Sequence, residues 1–267
     1  FMALREGSER EVAALRDDLE RARQAVVQET NDPDPERLAQ LQRELLAANA
    51  RLERYRLAAS IDADRIETDY GNAVALVFAR QAGGGALTGT AFAVTPDGVL
   101  VTAGHVADAV DGNEFAVRFA NSTQTWRAEV VARSDNFDLA LLRVLGIRGS
   151  VPTVGRISQR ADTLGAGQPI AMIGFPLGGA PQDSADGAQV ARSVLLVGIT
   201  ESTTAEAVTF DTYGRPGASG SPVFDASGDV IAVLVGGLNG TATGTAFGAP
   251  ARAVYQLMQQ AGITPPS

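Results

Sequence analysis

Three residues of this chain have the types and the order needed to break an acyl bond. His105 is the sole histidine and stands in "VLVTAGHVAD", just past an apolar run and before a short helical turn. Asp138 stands in "RSDNFDLALLRV", at the entrance to a strongly apolar strand. Ser219 stands in "GRPGASGSPVF", between Ala218 and Gly220. A serine hydroxyl is a weak nucleophile until a base removes its proton. Imidazole suits that task because its pKa lies near neutrality. An aspartate on the other ring nitrogen fixes the tautomer and orientation of the base. Gly217 tolerates the positive φ that turns an amide inward. The N–H groups of Gly217 and Ser219 would then converge on one spot, as holding a developing oxyanion requires. Taken singly, each residue has an ordinary reading: a surface histidine at a strand end, an aspartate capping a turn, a serine in a tight glycine turn. Together the order, the strand contexts and the Gly-x-Ser-Gly pattern agree.

Such a constellation needs a scaffold that brings distant segments together. From about residue 70 the chain is built of short apolar or alternating runs separated by turn residues: "NAVALVFAR", "TGTAFAVTP", "GVLVTAG", "EFAVRF", "RAEVVAR", "DLALLRVL". After "GAGQP" come "IAMIGF", "SVLLVGIT", "AVTFDTY", "SPVFD", "DVIAVLVGG" and "GTAFGAP". Strands at this spacing, without strand–helix alternation, indicate a sandwich or barrel. About six fall on each side of a polar linker near 146–168, which predicts two similar β-barrels, about 70–147 and 165–250. The stretch 251–262, "ARAVYQLMQQAG", reads as a closing helix with Val254, Leu257 and Met258 on its apolar face. The polar, glycine-rich "GGAPQDSADGAQ" at 178–189 reads either as a regulatory loop beside the cleft or as a plain connection.

Residues 1–65 are patterned differently, with one glycine and a net charge of −3. Val12, Leu15, Leu19, Ala22 and Val26 recur at spacings of three and four, as do Leu38, Leu41, Leu45, Ala48, Leu52, Tyr55 and Ala59. These are a/d seams of two helices. Between them "TNDPDPER" breaks the first, and Asp34 with Pro35 starts the second. The segment is read as a helical hairpin or coiled coil, and residues 66–267 as the β-rich domain.

Composition narrows the chemistry. The 267 residues suffice for one large or two modest domains, and 45% hydrophobic with 20% charged residues supports a packed core. The net charge of −9 and the absence of a basic tract argue against nucleic acid as a partner. All 22 basic residues are arginine. With no cysteine, disulfides, thiolate catalysis and thiolate metal sites are excluded. No run reaches the ~18 apolar residues of a membrane helix, and no signal peptide is visible. A phenylalanine precedes the first methionine, so the chain reads as a fragment whose upstream part could have carried a signal or membrane anchor.

The pieces "GTAFAVTPDGVLVTAGHV", "DLALLRV", "IAMIGFPLG", "GRPGASGSPVFDASGDVIAVL" and "GTAFGAPARAV" resemble, in order and over about residues 70–260, the trypsin-like serine proteases of the chymotrypsin fold, nearest their bacterial HtrA branch. The resemblance implies a mostly β fold, a double β-barrel with a C-terminal helix and an active site in the cleft between barrels. It implies His105 as general base, Asp138 as its orienting carboxylate and Ser219 as nucleophile. The oxyanion hole would come from the amides of Gly217 and Ser219, with Ala218 between them. It places a specificity pocket at Tyr213 and Gly214 and along Val233, Val235 and Gly236. No acidic residue stands at those positions, so a small or medium apolar side chain is expected before the scissile bond. It implies polypeptide substrates, no metal or other cofactor, and a role in protein quality control or regulated proteolysis. It also suggests a bacterial periplasm or cell envelope, the cytoplasm staying open. Two features depart from the family's pattern. Its usual Gly-Asn-Ser-Gly-Gly-Pro is here Gly-Ala-Ser-Gly-Ser-Pro, and no peptide-binding PDZ domain is expected in the few residues after 262. The N-terminal helices are an addition, expected to serve a homo-oligomer or a partner protein. The competing expectation is a catalytically latent scaffold on the same fold, regulated or oligomerised by those helices.

Overall fold

A computed structural model describes residues 2–29, 34–80, 86–108, 114–159, 164–176, 182–183, 189–212, 217–238 and 245–266. The chain divides into two compact units, Phe1–Ser60 and Ile61–Ser267.

The first unit is a pair of helices, α1 (Met2–Glu29) and α2 (Pro35–Ala58). Asp34 caps α2, its carboxylate accepting from the amides of Glu36 and Arg37 at 3.0 and 3.4 Å, and Pro35 opens the first turn. Leu15, Leu19 and Leu52 form the buried seam, with Leu45, Ala48 and Tyr55 packed against it. These six belong to the seam read from heptad spacing; Ala59, also placed in it, is instead exposed beyond the end of α2, where Ala58 is the buried residue. α1 runs past its patterned stretch at both ends, through Gly7 on one side and to Glu29 on the other, whereas α2 starts at Pro35 and stops at Ala58.

The second unit begins at Ile61, five residues before the boundary placed at 65/66 from the sequence. The reason is α3 (Ala63–Tyr70), whose Ile66 is fully buried in the core of this unit, as is most of Ile61. Tyr70 stacks on Phe224 with ring centroids 5.3 Å apart.

Two closed six-stranded barrels follow. The first holds β1 (Val74–Arg80), β2 (Ala86–Ala93), β3 (Val99–Ala103), β4 (Glu114–Phe119), β5 (Trp126–Arg133) and β6 (Leu139–Val144), in the order β1-β2-β3-β6-β5-β4. A five-residue helix, α4 (Gly104–Asp108), leaves β3. The second holds β7 (Pro169–Gly174), β10 (Val194–Thr203), β11 (Val208–Asp211), β12 (Pro222–Phe224), β13 (Val230–Leu238) and β14 (Thr245–Pro250). Between β7 and β10 the strands β8 (Gln182–Asp183) and β9 (Gln189–Val190) pair with each other; the rest of the 178–189 segment lies outside the described residues. The helix α5 (Ala251–Gln260) closes the chain, burying Val254, Leu257 and Met258.

β3 and β6 read as largely apolar runs, broken only by Thr102 and Arg143, because both of their faces are mostly buried. Leu100 and Leu142 point into the first barrel, beside Ala91 and Ala93. Val99, Val101, Leu139 and Leu141 point the other way and pack with Phe92, Phe175, Val223 and Ile231. One continuous apolar core therefore joins β2, β3 and β6 to the second barrel, and the segments carrying the chemistry emerge beside it. Among the described residues no helix is long and apolar enough to cross a membrane.

Candidate active site

β3 and β6 run antiparallel with Ala103 opposite Leu139. That register sets the residue following β3 beside the residue preceding β6. α4 thus begins next to Asp138, and its second residue is His105. The Asp138 carboxylate accepts from the His105 amide at 2.7 Å with one oxygen. Its other oxygen lies 2.6 Å from His105 Nδ1. Both side chains are partly open to water, 47% for His105 and 40% for Asp138. The entrance to the apolar strand leaves Asp138 half-exposed, with His105 as its partner.

The electrostatics follow from this contact. The hydrogen bond to Asp138 raises the His105 pKa above the ordinary 6.5, against an opposing effect of burial and with help from the charge of Asp108. Burial pushes the Asp138 carboxyl up, but hydrogen bonds from the His105 ring, the His105 amide and the Gly104 amide outweigh it. Asp138 titrates below its ordinary 3.8. With Nδ1 engaged as donor to the carboxylate, Nε2 of a neutral His105 is the basic nitrogen.

Ser219 arrives from the second barrel, on the turn before β12. Its carbonyl accepts from the Thr90 amide of β2 at 2.8 Å. β2 lies against β3, with Ala91 opposite Thr102, and the Thr102 hydroxyl donates to the Thr90 carbonyl at 2.7 Å. The serine turn is thus fastened to the strand pair that ends at His105. Gly220 makes this approach possible: its φ is +89°, and a Cβ there would collide with the Thr90 carbonyl oxygen. Gly217 has φ +90°, the left-handed region expected of it. Among the described residues neither the Gly217 nor the Ser219 amide has an acceptor, and no hydrogen bond joins the Ser219 hydroxyl to the His105 ring. Catalytic hydrogen bonds are commonly long before substrate binds. Ala218 is buried within the turn.

The pocket residues fare unevenly. Tyr213 and Gly214 lie outside the described residues. Val233 is fully buried in the apolar core, opposite Pro222 and Ala249, so its side chain walls no open pocket, contrary to expectation. Val235, at a β-bulge, and Gly236 are partly exposed. A Cβ on Gly236 would come within 2.5 Å of Cζ of Phe247. The aromatic ring of β14 therefore lies over this glycine, a neighbour the sequence reading did not name. Also missed were Thr90 and Thr102, since isolated hydroxyl residues in strands carry no periodic signal; Ser221 stood out only as a departure from the family's motif. Among the described residues no three His, Cys, Asp or Glu gather as metal ligands.

Residues 89–233 match the family model described as trypsin-like peptidase domain. The chain is 27% identical over 176 residues to a protein of Ectopseudomonas mendocina named "Probable periplasmic serine endoprotease DegP-like", covering 64% of this chain and 34% of that one. A protein of the same name from Bartonella henselae is 29% identical over 175 residues, covering 64% and 33%. The chain thus spans about a third of the length of these relatives. In fold it is similar to the HtrA-type protease AlgW solved with a tripeptide, at a TM-score of 0.60, 21% identity and coverage of 74% and 63%. It is likewise similar to the serine endoprotease from Yersinia pestis, at a TM-score of 0.61, 18% identity and coverage of 75% and 66%.

Proposed function

The chain belongs to the trypsin-like peptidase domain family, and from that premise we propose that it is an HtrA-like serine endopeptidase acting on polypeptides. The observation that carries this reading is the His105 Nδ1–Asp138 contact of 2.6 Å, made next to a serine turn held on the adjoining strand pair. Ser219 Oγ attacks the peptide carbonyl carbon while its proton passes to His105 Nε2. The carbonyl π electrons move to oxygen, and the amides of Gly217 and Ser219 stabilise that oxyanion. His105 then protonates the departing amine, the C–N bond breaks, and an acyl-serine is left. Water, deprotonated by His105, releases the acid and restores the serine. Asp138 holds the ring in the productive tautomer throughout. Val235, Gly236 and the Phe247 ring over it support a preference for small or medium apolar side chains before the scissile bond.

The names of the relatives support a bacterial periplasmic setting, and with it a part in protein quality control or regulated proteolysis. The hairpin of α1 and α2 serves as the arm that pairs two copies of the chain. Leu46 and Leu57, 69% and 44% exposed on the outer side of α2, support this.

A fluorophosphonate probe tests the chemistry. Wild type becomes covalently labelled and Ser219→Ala does not. A wild type left unlabelled where a control serine hydrolase reacts would refute the endopeptidase reading.

A further inference from the structure

Three successive carbonyls of the serine turn are each held by a hydrogen bond. The Gly217 carbonyl accepts from the Thr90 hydroxyl at 2.8 Å. The Ala218 carbonyl accepts from the Ser221 hydroxyl at 2.6 Å and from the Ser221 amide at 3.0 Å. The Ser219 carbonyl accepts from the Thr90 amide at 2.8 Å. Thr90 and Ser221 are both fully buried.

The two hydroxyls have no freedom in these roles. Thr90 Oγ1 also accepts from the Phe175 amide at 3.0 Å. A hydroxyl has one proton, and because the Phe175 N–H is itself the donor in that bond, the Thr90 proton is committed to Gly217. The Ser221 side chain fills the space that Gly174 leaves empty, for a Cβ on Gly174 would collide with Ser221 Oγ. Thr90 thus ties β2 of the first barrel to the end of β7 and to the serine turn, and Ser221 completes the turn from within. In a planar trans peptide the N–H points opposite to the C=O. Fixing the Ala218 carbonyl therefore fixes the direction of the Ser219 N–H, and fixing the Gly217 carbonyl fixes the peptide before it.

We infer that Thr90 and Ser221 are positioning residues: their hydroxyls clamp the carbonyls of Gly217 and Ala218, and so aim the Ser219 amide at the developing oxyanion. This rests on the endopeptidase reading and names what keeps that site in working shape. Ser221 in particular turns a departure from the usual Gly-Gly-Pro sequence into a brace. The clamp acts on the oxyanion and not on the base, which separates it from general structural support.

The test compares Thr90→Val, which keeps the volume and removes the hydroxyl, with Thr90→Ser, which keeps the hydroxyl, and adds Ser221→Ala. Removing one oxyanion donor outright lowers kcat by about 10²–10³, so misaiming one is expected to lower it by about 10–100-fold. Thr90→Val and Ser221→Ala should show that loss in kcat on a peptide substrate, with KM changed less than about threefold. The acid limb of the pH profile should not move, and Thr90→Ser should recover most of the wild-type rate. The inference falls if folded Thr90→Val or Ser221→Ala keeps the wild-type kcat, if Thr90→Ser loses as much as Thr90→Val, or if the loss lies in KM. Should Thr90→Val fail to fold, Ser221→Ala decides the matter by the same readouts. A wild type inert to fluorophosphonate is a different outcome: it removes the endopeptidase reading, and the inference with it.

Discussion

The Asp138 carboxylate receives hydrogen bonds from the His105 ring and amide and from the Gly104 amide. Its effect on His105 has a definite sign. His105 must be neutral to take the serine proton, and the Asp138 contact raises its pKa above 6.5. The acid limb of kcat/KM should therefore have its midpoint above 6.5, not at or below it. Asp138→Asn removes that contact, so the midpoint of fluorophosphonate labelling moves down while the rate falls by about 10⁴. A midpoint that stays put in Asp138→Asn would show that the carboxylate does not set it. The pair also contributes to folding within a window. The Asp138 part is present above 3.8 and lost as pH falls through its depressed value; the His105 part is full below 6.5 and lost as pH rises through its raised value. His105, Asp138 and Ser219 were legible in the sequence because each stands beside a strongly patterned strand or a glycine turn. Thr90 and Ser221 were not. What singles out Thr90 is the register between β2 and the serine turn, a contact across more than a hundred residues; Ser221 acts on the Ala218 carbonyl within the turn itself, three residues away. The burial of Val233 has another cause: β13 is buried on both faces from Val230 to Leu234 and becomes partly exposed only from Val235.

At the scale of elements, α3 explains why the β-rich unit starts before its first strand. Its eight residues carry little helical signal of their own, and isolated helices of that length are marginal in water. Packing supplies what propensity lacks: Ile66 enters the core fully, Tyr70 stacks on Phe224, and Arg65 donates to the Ala226 carbonyl at 3.0 Å. Gly155 and Gly228 leave the room for the Tyr70 ring; a Cβ on Gly155 would sit 2.7 Å from the Tyr70 hydroxyl. Ile66→Ala should destabilise this unit by about 2–5 kcal/mol, the usual range for emptying a buried isoleucine site. Urea unfolding followed through the single tryptophan, Trp126 of β5, reads it. A loss under about 1 kcal/mol would mean that α3 is an appendage and not part of the fold. The strands themselves were readable from period and turn residues. α3 was not, because its reason for being helical lies in β12 and the turn after it.

At the scale of the whole molecule, the proposed pairing of two copies through α2 can be given a register. Ala39, Arg43, Leu46, Ala50, Glu53 and Leu57 recur at spacings of three and four, and all six are exposed. A second copy of α2 laid antiparallel about residue 48 sets Leu57 opposite Ala39, Glu53 opposite Arg43 and Leu46 opposite Ala50. By the twofold axis every one of these pairs occurs twice. Both charge pairs are then of opposite sign, and each exposed leucine meets a small residue. Burying a leucine contributes about 1.5–3 kcal/mol, and about 1.4 kcal/mol is a factor of ten in affinity. Leu46→Asp should therefore weaken self-association tenfold or more. Arg43→Glu sets Glu against Glu on both sides of the axis and should weaken it too, whereas Arg43→Glu combined with Glu53→Arg restores opposite charges and should restore the dimer. Sedimentation equilibrium of the full chain measures all four proteins. A wild type still monomeric at about 100 μM, where a Kd of that order would leave a clear fraction paired, would refute the arm, and a dimer indifferent to Leu46→Asp would place its interface elsewhere. Recovery in the charge-swapped pair is the decisive result, because only this antiparallel register brings residue 43 of one copy against residue 53 of the other.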